Sequence, residues 1–428
     1  MNFTQLFTAF QSRNYRLYFG GQLISLIGNW MTQTATIWLV YQLTGSPVWL
    51  GAVAFASQAP VVLLSPAAGV WVDRIDRLAL MKITQICSMV QALLLAALTL
   101  TGHITIERLT ALAVIQGIIN AFDTPTRQAL AINLAEKREH LSAVIGMNSS
   151  MFNLARLIGP SLGGFLIAWL GVGMCFLLDG ISYIAVIAAL MAMRLKNTTA
   201  EQPSAPESAW VSFKKGIRYV HEFEPIRFLI LFNGSLALFA FSFTVLIPVY
   251  AKEIFAGDAR TLGLLMSSSA AGSVSAALFM ASRTGIRGLG KITVFGTTLA
   301  GCSLLAFAWS HSLLLSMGCL LFAGLGGLLV AVTNNTLVQS LVEEDKRGRV
   351  LSLFTAAFLG GIPLGSLMTG WLAEHIGVSW ATTINAAASL VLGGIYLHNL
   401  KRLREKARPT LERRGLIPIS AESDATIS

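Results

Sequence analysis

Charge is what this sequence has least of. Only 12% of its 428 residues are Asp, Glu, Lys or Arg, against about 25% in a soluble domain. So few charges cannot cover a chain of this length with a water-facing surface, which excludes an ordinary soluble enzyme or signalling domain. Cysteine is scarce as well. Cys87, Cys175, Cys302 and Cys319 all lie inside apolar runs, without the loop spacing of a disulfide framework or a zinc site. The six histidines have no metal-ligand spacing, and no nucleophile stands beside a plausible base. No catalytic residue, metal or cofactor is therefore expected. The stretch "GIRGLGKI" nearly spells a phosphate-binding loop, but it lacks the Ser or Thr after Lys291 and joins two apolar runs rather than a strand to a helix. No cleavable signal pattern is visible, because the start is polar and basic and the first apolar run is too long.

Apolar residues are abundant, at 54%, with a mean hydropathy of +0.66. Runs of about 20 apolar residues, the length of a membrane-crossing helix, recur along the whole chain. The pattern predicts spans at 17–42, 47–71, 79–101, 108–131, 142–170 and 173–194. A second set follows at 226–250, 261–281, 290–310, 312–340, 350–374 and 378–400. The expected fold is an all-α integral membrane protein of twelve transmembrane helices in two six-helix halves. Its parts are an N-terminal bundle at 1–196, a cytoplasmic linker at 197–224, a C-terminal bundle at 225–402 and a basic cytoplasmic tail at 403–428. In the linker, Trp210, Phe213, Ile217 and Val220 share one helical face, as in a helix lying on the membrane surface.

The net charge of +10 reflects orientation rather than nucleic-acid binding. Basic residues crowd the even-numbered loops and both tails, whereas the odd-numbered loops hold Arg108, Lys252 and Arg260. By the positive-inside rule both termini are cytoplasmic. An internal repeat supports two halves: "NLAEKREHLS" after span four matches "SLVEEDKRGRVLS" after span ten. Such halves are the arrangement of transporters with a site between them.

The turn "GVWVDRIDRL" after span two resembles the signature turn of the major facilitator superfamily, G-x-x-x-D-R-x-G-R-R/K. Gly69, Asp73, Arg74 and Arg77 match, while Asp76 replaces a glycine and Leu78 a basic residue. The resemblance extends over nearly the whole chain. It implies a latch in which Asp73 faces the start of span eleven, where a helix N-terminus favours a carboxylate. Arg77 would pair with an acid at the inner end of span four, with Asp123 the candidate.

Ionisable residues within spans are costly and mark function. Asp123 and Arg127 stand four apart in "AFDTPTRQAL", on one helix face, about Pro125. By helix rise Asp123 and Arg156 lie at similar depths, about 21–22 Å from the outer end, so a cluster of Asp123, Arg127 and Arg156 is feasible. Asp179 has no evident charge partner and is a second candidate proton site. "NLARLIGPSLGGFL" carries Gly159, Pro160, Gly163 and Gly164 and resembles the antiporter signature of drug exporters, with Ala155 in place of its first glycine. Ala113 stands where many exporters have an arginine, which departs from their usual proton relay. Together these stretches look like the siderophore-exporter and macrolide-efflux branch, including enterobactin-exporter-like members.

Gln22, Asn29, Gln33, Gln116, Asn120, Asn153, Asn233 and Asn334 are candidate cavity-lining amides. The resemblance implies a secondary exporter in a bacterial inner membrane. It would move a small amphipathic drug, siderophore or metabolite outward by proton antiport and alternating access, as a monomer with the proton gradient as its energy source. Apart from Arg156 no fixed charge marks the cavity, which favours a substrate with an anionic group. The alternatives are a lysophospholipid flippase and a non-transporting sensor or scaffold on the same fold.

Overall fold

A computed structural model describes residues 10–72, 75–134, 141–193, 209–283 and 285–415. The first half comprises α1 (Arg13–Thr44), α2 (Pro47–Val72), α3 (Arg77–Leu100), α4 (Ile106–Asn133), α5 (Leu141–Leu170) and α6 (Val172–Ala192). A linker helix, α7 (Ala209–Glu222), follows. The second half comprises α8 (Glu224–Phe239), α9 (Ala259–Ser282), α10 (Leu289–Ala308), α11 (Leu313–Leu341), α12 (Arg347–Ile376) and α13 (Val378–Arg413). Beyond Phe239 the seventh crossing continues through a 3₁₀ turn at Ser242–Leu246 and a π turn at Tyr250–Ile254, around Pro248.

Ten of these segments are long and apolar enough to cross a membrane. The other two crossings, α1 and α4, have the length, 32 and 28 residues, but carry the amides and charges singled out above. Gln22 of α1 and Asp123 of α4 are buried in protein rather than facing lipid, as such groups must be. An even number of crossings puts both chain ends at one end of the bundle, here the near end; the opposite end is the far end.

The two halves repeat one packing scheme. In the first, α1 packs on α5 and α6, α3 on α4 and α6, and α2 on α4. In the second, α8 packs on α12 and α13, α10 on α11 and α13, and α9 on α11. Helix starts correspond: Pro47 with Ala259, Arg77 with Leu289, Ile106 with Leu313, Leu141 with Arg347 and Val172 with Val378.

The halves meet through two helix pairs, α2 with α12 and α5 with α9, which the repeat makes equivalent. Both depend on glycine. A Cβ on Gly263 would lie 2.6 Å from the Pro160 carbonyl oxygen and 3.2 Å from Gly164 Cα. A Cβ on Gly370 would lie 2.5 Å from the Pro47 carbonyl oxygen and 3.3 Å from Gly51 Cα. Both pairs sit toward the far end. There too, Tyr41 donates to Glu253, Ser46 Oγ donates to Glu374 at 2.7 Å, and Ser161 Oγ bonds Ser267 Oγ at 2.7 Å. Lys252 lies over the Tyr41 ring. Among the described residues, the cross-half hydrogen bonds all fall in this far half of the bundle.

At the near end α13 runs past the bundle and binds the linker region. Arg402 Nε lies 2.9 Å from Glu224, and Lys406 also pairs with Glu224. Lys406 and Arg402 hold the Glu224 carboxyl below the usual carboxylate range. Arg414 donates to the carbonyls of Ser340 and Val342, closing the end of α11. The helix α7 forms as expected over 209–222; the side chains of Trp210 and Phe213 lie outside the described residues.

A side chain at the glycine contacts must drive the halves apart at the far end. Overpacking costs about 1–3 kcal/mol, a shift of roughly 5- to 150-fold between conformations. Gly263→Leu and Gly370→Leu should therefore each lengthen the distance between spin labels at Leu43 and Arg260, measured by pulsed electron resonance. An unchanged distance distribution in both variants would refute the gate.

Candidate functional site

The turn motif is only partly in view. Asp73 and Arg74 lie outside the described residues, and Gly69 falls within α2. Asp76, which replaces the motif's glycine, has a structural role: it N-caps α3, its Oδ1 accepting from Leu78 N–H at 2.9 Å, as short polar residues do at helix starts. The guanidinium of Arg77 reaches Asn133 Oδ1 at 2.9 Å, rather than the expected Asp123. Asn133 is the last residue of α4, ten residues or about 15 Å beyond Asp123. Arg77 opens α3 at the near end, too far along the axis to reach the carboxylate.

Asp123 is buried, and α3 holds it. Thr84 Oγ1 donates to Asp123 Oδ1 at 2.9 Å and Gln85 Nε2 donates at 2.7 Å. On its own helix Arg127 lies 3.9 Å from Oδ2, the i, i+4 pairing read from the sequence. Tyr18 of α1 donates to the Arg127 carbonyl at 3.4 Å. Sequence reasoning missed Thr84 and Gln85. Their signal was the polar pair in "KITQICSM" inside an otherwise apolar span.

The third member of the expected cluster stands apart. Arg156 lies midway along α5 with its guanidinium over the Trp30 ring, 5.9 Å from the centroid. Trp30 also packs edge-on against Phe152 at 5.6 Å. Among the described residues, no carboxylate pairs with Arg156. Helix geometry sets its direction. Gly159 and Gly163 press on Ile27, Trp30 and Met31 of α1. Pro160 and Gly164 press on α9, where Ser267 Oγ donates to the Leu157 carbonyl at 3.0 Å. Leu154, Leu162, Phe165 and Trp169 are exposed on the lipid side. At about 100° per residue Arg156 points between the α1 and α9 contacts and away from the lipid side, into the cleft between the halves. A cation–π contact contributes roughly 0.5–2 kcal/mol. An arginine at a bilayer centre costs roughly 2.5–3.5 kcal/mol or more, so Trp30 alone does not compensate it.

The motif of α5 thus divides its work. Gly159 and Gly163 seat α5 on α1, while Pro160 and Gly164 form half of the far-end gate. Asp179 is buried where α6 crosses α1. A Cβ on Gly28 would stand 2.5 Å from Asp179 Oδ1, and Ser182 Oγ donates to that oxygen at 3.4 Å. Among the described residues, no cation reaches Asp179.

The amides separate into three groups. Gln33 is exposed, and Asn29, Gln116, Asn120 and Asn153 are half-buried. Gln116 Nε2 donates to Asn120 Oδ1 at 3.1 Å, and Asn153 Nδ2 to the Ser149 carbonyl at 2.8 Å. Gln22, Asn233 and Asn334 are buried, and each has an amide nitrogen without a partner among the described residues. Asn334 Oδ1 accepts from Thr293 at 3.5 Å, in a cluster where Thr293 and Thr333 hydroxyls meet at 2.8 Å.

Twelve crossings in two equivalent halves, joined at one end and lined with amides and a few ionisable groups, define a membrane transporter of the major facilitator superfamily. The chain belongs to the family described as transmembrane secretion effector, whose model matches residues 4–415. Among curated relatives, the staphyloferrin A transporter of Staphylococcus aureus is 27% identical over 392 residues, 91% of this chain and 97% of that one. The multidrug efflux pump Tap of Mycolicibacterium fortuitum is 26% identical over 389 residues, 88% of this chain and 93% of that one. Macrolide efflux protein A of Streptococcus pyogenes is 21% identical over 380 residues, covering 86% and 92%. A bacterial homologue of the iron transporter ferroportin, solved in the inward-facing state, shares the fold. Its TM-score is 0.71 at 17% identity, covering 90% of this chain and 98% of that one. The chain is a transporter of a small molecule across a membrane, not an enzyme.

Removing a hydrogen-bond donor from a buried carboxylate costs roughly 1–3 kcal/mol. Gln85→Leu should lower the melting temperature of the purified protein, and its effect should be non-additive with Asp123→Asn in a double-mutant cycle. Strict additivity would mean that the two side chains do not interact.

Proposed function

We propose that the protein is a secondary active exporter of a small amphipathic molecule, working by proton antiport and alternating access in a bacterial inner membrane. The observation that carries this reading is the one-sided closure of the bundle. The halves meet through glycines at the far end, where Tyr41–Glu253, Ser46–Glu374 and Ser161–Ser267 also link them. The near end bears the basic loops and both termini, and the positive-inside rule assigns it to the cytoplasm. In this reading the far-end contacts close the outer side, and the cleft loads from the cytoplasm, as an exporter requires. Relatives that carry out drug and macrolide efflux support the outward direction.

In this reading, Asp179 carries the proton and Asp123 anchors the first half. Asp123 is tied to Arg127, Thr84 and Gln85, so its charge is compensated in place. Asp179 has a hydroxyl partner and lies on the α1–α6 seam. A proton arriving there changes the contact of α6 with Gly28, which tilts α1 relative to α5 and loosens the far-end gate. The transporter works as a monomer and needs no cofactor beyond the proton gradient.

Everted membrane vesicles test this. Wild-type protein should accumulate a neutral amphipathic dye such as Nile red when the lumen is acid. Asp179→Asn should lose the dependence on the pH gradient while still exchanging labelled for unlabelled dye. Asp123→Asn should lower the amount of folded protein. Full gradient-driven accumulation by Asp179→Asn would remove the assignment.

A further inference from the structure

We propose that Arg156 is the substrate-recognition residue of this transporter, and that the substrate presents a carboxylate to it. The inference rests on the exporter reading and names the chemistry that the cleft selects. Four ionisable side chains lie deep in the spans, and three have their needs met or their surroundings closed. Asp123 and Arg127 pair with each other. Asp179 is shut into the α1–α6 seam against Gly28. Arg156 alone combines a full cation, a direction into the cleft, partial exposure and an uncharged neighbour.

Among the described residues this arginine has no anionic partner. Its planar fork offers parallel N–H donors matched to a carboxylate or phosphate. Trp30 and Phe152 give it a rigid apolar backing, which fixes the guanidinium plane without neutralising its charge. On the same face of α5, Asn153 and Ser149 continue toward the near end, with the Asn153 nitrogen engaged by the Ser149 carbonyl. On the second half, α11 carries two exposed amides toward the near end, Asn335 and Gln339, joined to each other by a hydrogen bond. The cleft therefore offers one cation, several neutral hydrogen-bonding groups and an aromatic wall. That set suits a carboxylate-bearing solute with further hydroxyl or amide groups. A lipophilic cation would meet like charge at the centre of the path. Phosphate shares the recognition chemistry, and a lipid headgroup is the competing source of it.

The repeat adds a second argument. The position in α12 equivalent to Arg156, counted from the paired starts Leu141 and Arg347, is Ile362. The equivalent site in the second half is thus apolar, so the cleft carries this cation on one side only.

The test uses the full-length protein in lipid nanodiscs, titrated with citrate, lysophosphatidylglycerol or tetraphenylphosphonium and followed by thermal shift. Wild type should be stabilised by citrate and not by tetraphenylphosphonium. Arg156→Gln should melt near the wild-type temperature without ligand and bind citrate roughly tenfold or more weakly. If Arg156→Gln does not fold, Arg156→Lys decides. A point charge without the fork should weaken citrate several-fold, and equal binding overturns the proposal. The proposal is also overturned by undiminished citrate binding in Arg156→Gln, by absence of citrate binding in wild type, or by wild-type preference for tetraphenylphosphonium. Arg156-dependent binding of lysophosphatidylglycerol without citrate binding replaces the carboxylate by a lipid headgroup. Vesicle flux of Nile red, which carries no charge for Arg156 to attract or repel, separates the two readings. Gradient-driven flux with Arg156-independent citrate binding keeps the exporter and removes this inference. Arg156-dependent citrate binding with no gradient-driven flux of either compound does the reverse.

Discussion

Two backbone contacts govern this structure, Gly164 against Gly263 and Gly51 against Gly370. They are the places where the halves come within van der Waals distance with no side chain between them. Close backbone approach of this kind drives helix association in membranes, where hydrophobic burial offers no gain over lipid. The polar links beside them, Tyr41 to Glu253 and Ser46 to Glu374, involve exposed carboxylates, and such surface interactions contribute about 0–1 kcal/mol each. The glycines set the distance, and the polar pairs refine the register. Because the repeat maps α2 onto α9 and α5 onto α12, the two contacts are equivalent and closure is symmetric.

The halves share a packing scheme but not a charge pattern. Counting from paired helix starts, Arg127 corresponds to Asn334, Asp179 to Asn385, Asp123 to Val330 and Arg156 to Ile362. Asn334 and Asn385 are both fully buried, and Asn385 Nδ2 donates to Thr369 at 2.9 Å. Neutral amides and hydroxyls keep the second half polar where it must be, without responding to protons. The first half holds every ionisable group that lies deep in the spans. At the near end Glu224 ties α8 to Arg402 and Lys406 of α13, Arg414 closes the end of α11, and α7 packs on α8 and α12. Chemistry belongs to the first half, and the second serves as the surface against which it moves.

Much of the fold was legible in the sequence because lipid imposes a coarse rule: every crossing must be long, apolar and helical. The turn signature, the linker and the glycines of α5 could be placed for the same reason. What could not be read was partner choice across helices. Asp123 offered one visible partner, Arg127, because that pairing is local at i, i+4. Its other partners, Thr84 and Gln85, come from α3, and nothing local distinguishes them from the other polar residues of the spans. The pairings of Arg77 with Asn133 and of Arg156 with Trp30 turn on axial height and helix rotation. An error of a few residues in a predicted boundary shifts either by a turn. The equivalence of Gly370 with Gly164 was present in the sequence, but it appears only when helix starts are known, because the offset between the halves is not constant along the chain.

A gate made of backbone cannot be weakened by titrating the gate itself, since glycine carries nothing to protonate. Opening must therefore come from ligands that bind the two conformations unequally. Moving such an equilibrium from 1:99 to 99:1 takes about 5.5 kcal/mol of differential affinity, while one hydrogen bond to a charged group contributes roughly 1.5–3 kcal/mol. A single contact at Arg156 is insufficient, and so is a single proton at Asp179. Contacts to both halves at once are required: α5 of the first half offers Arg156 and Asn153, and α11 of the second half carries exposed amides at Asn335 and Gln339. The arithmetic favours a substrate with several polar groups spaced to span the cleft, with the proton acting on the α1–α6 seam behind it.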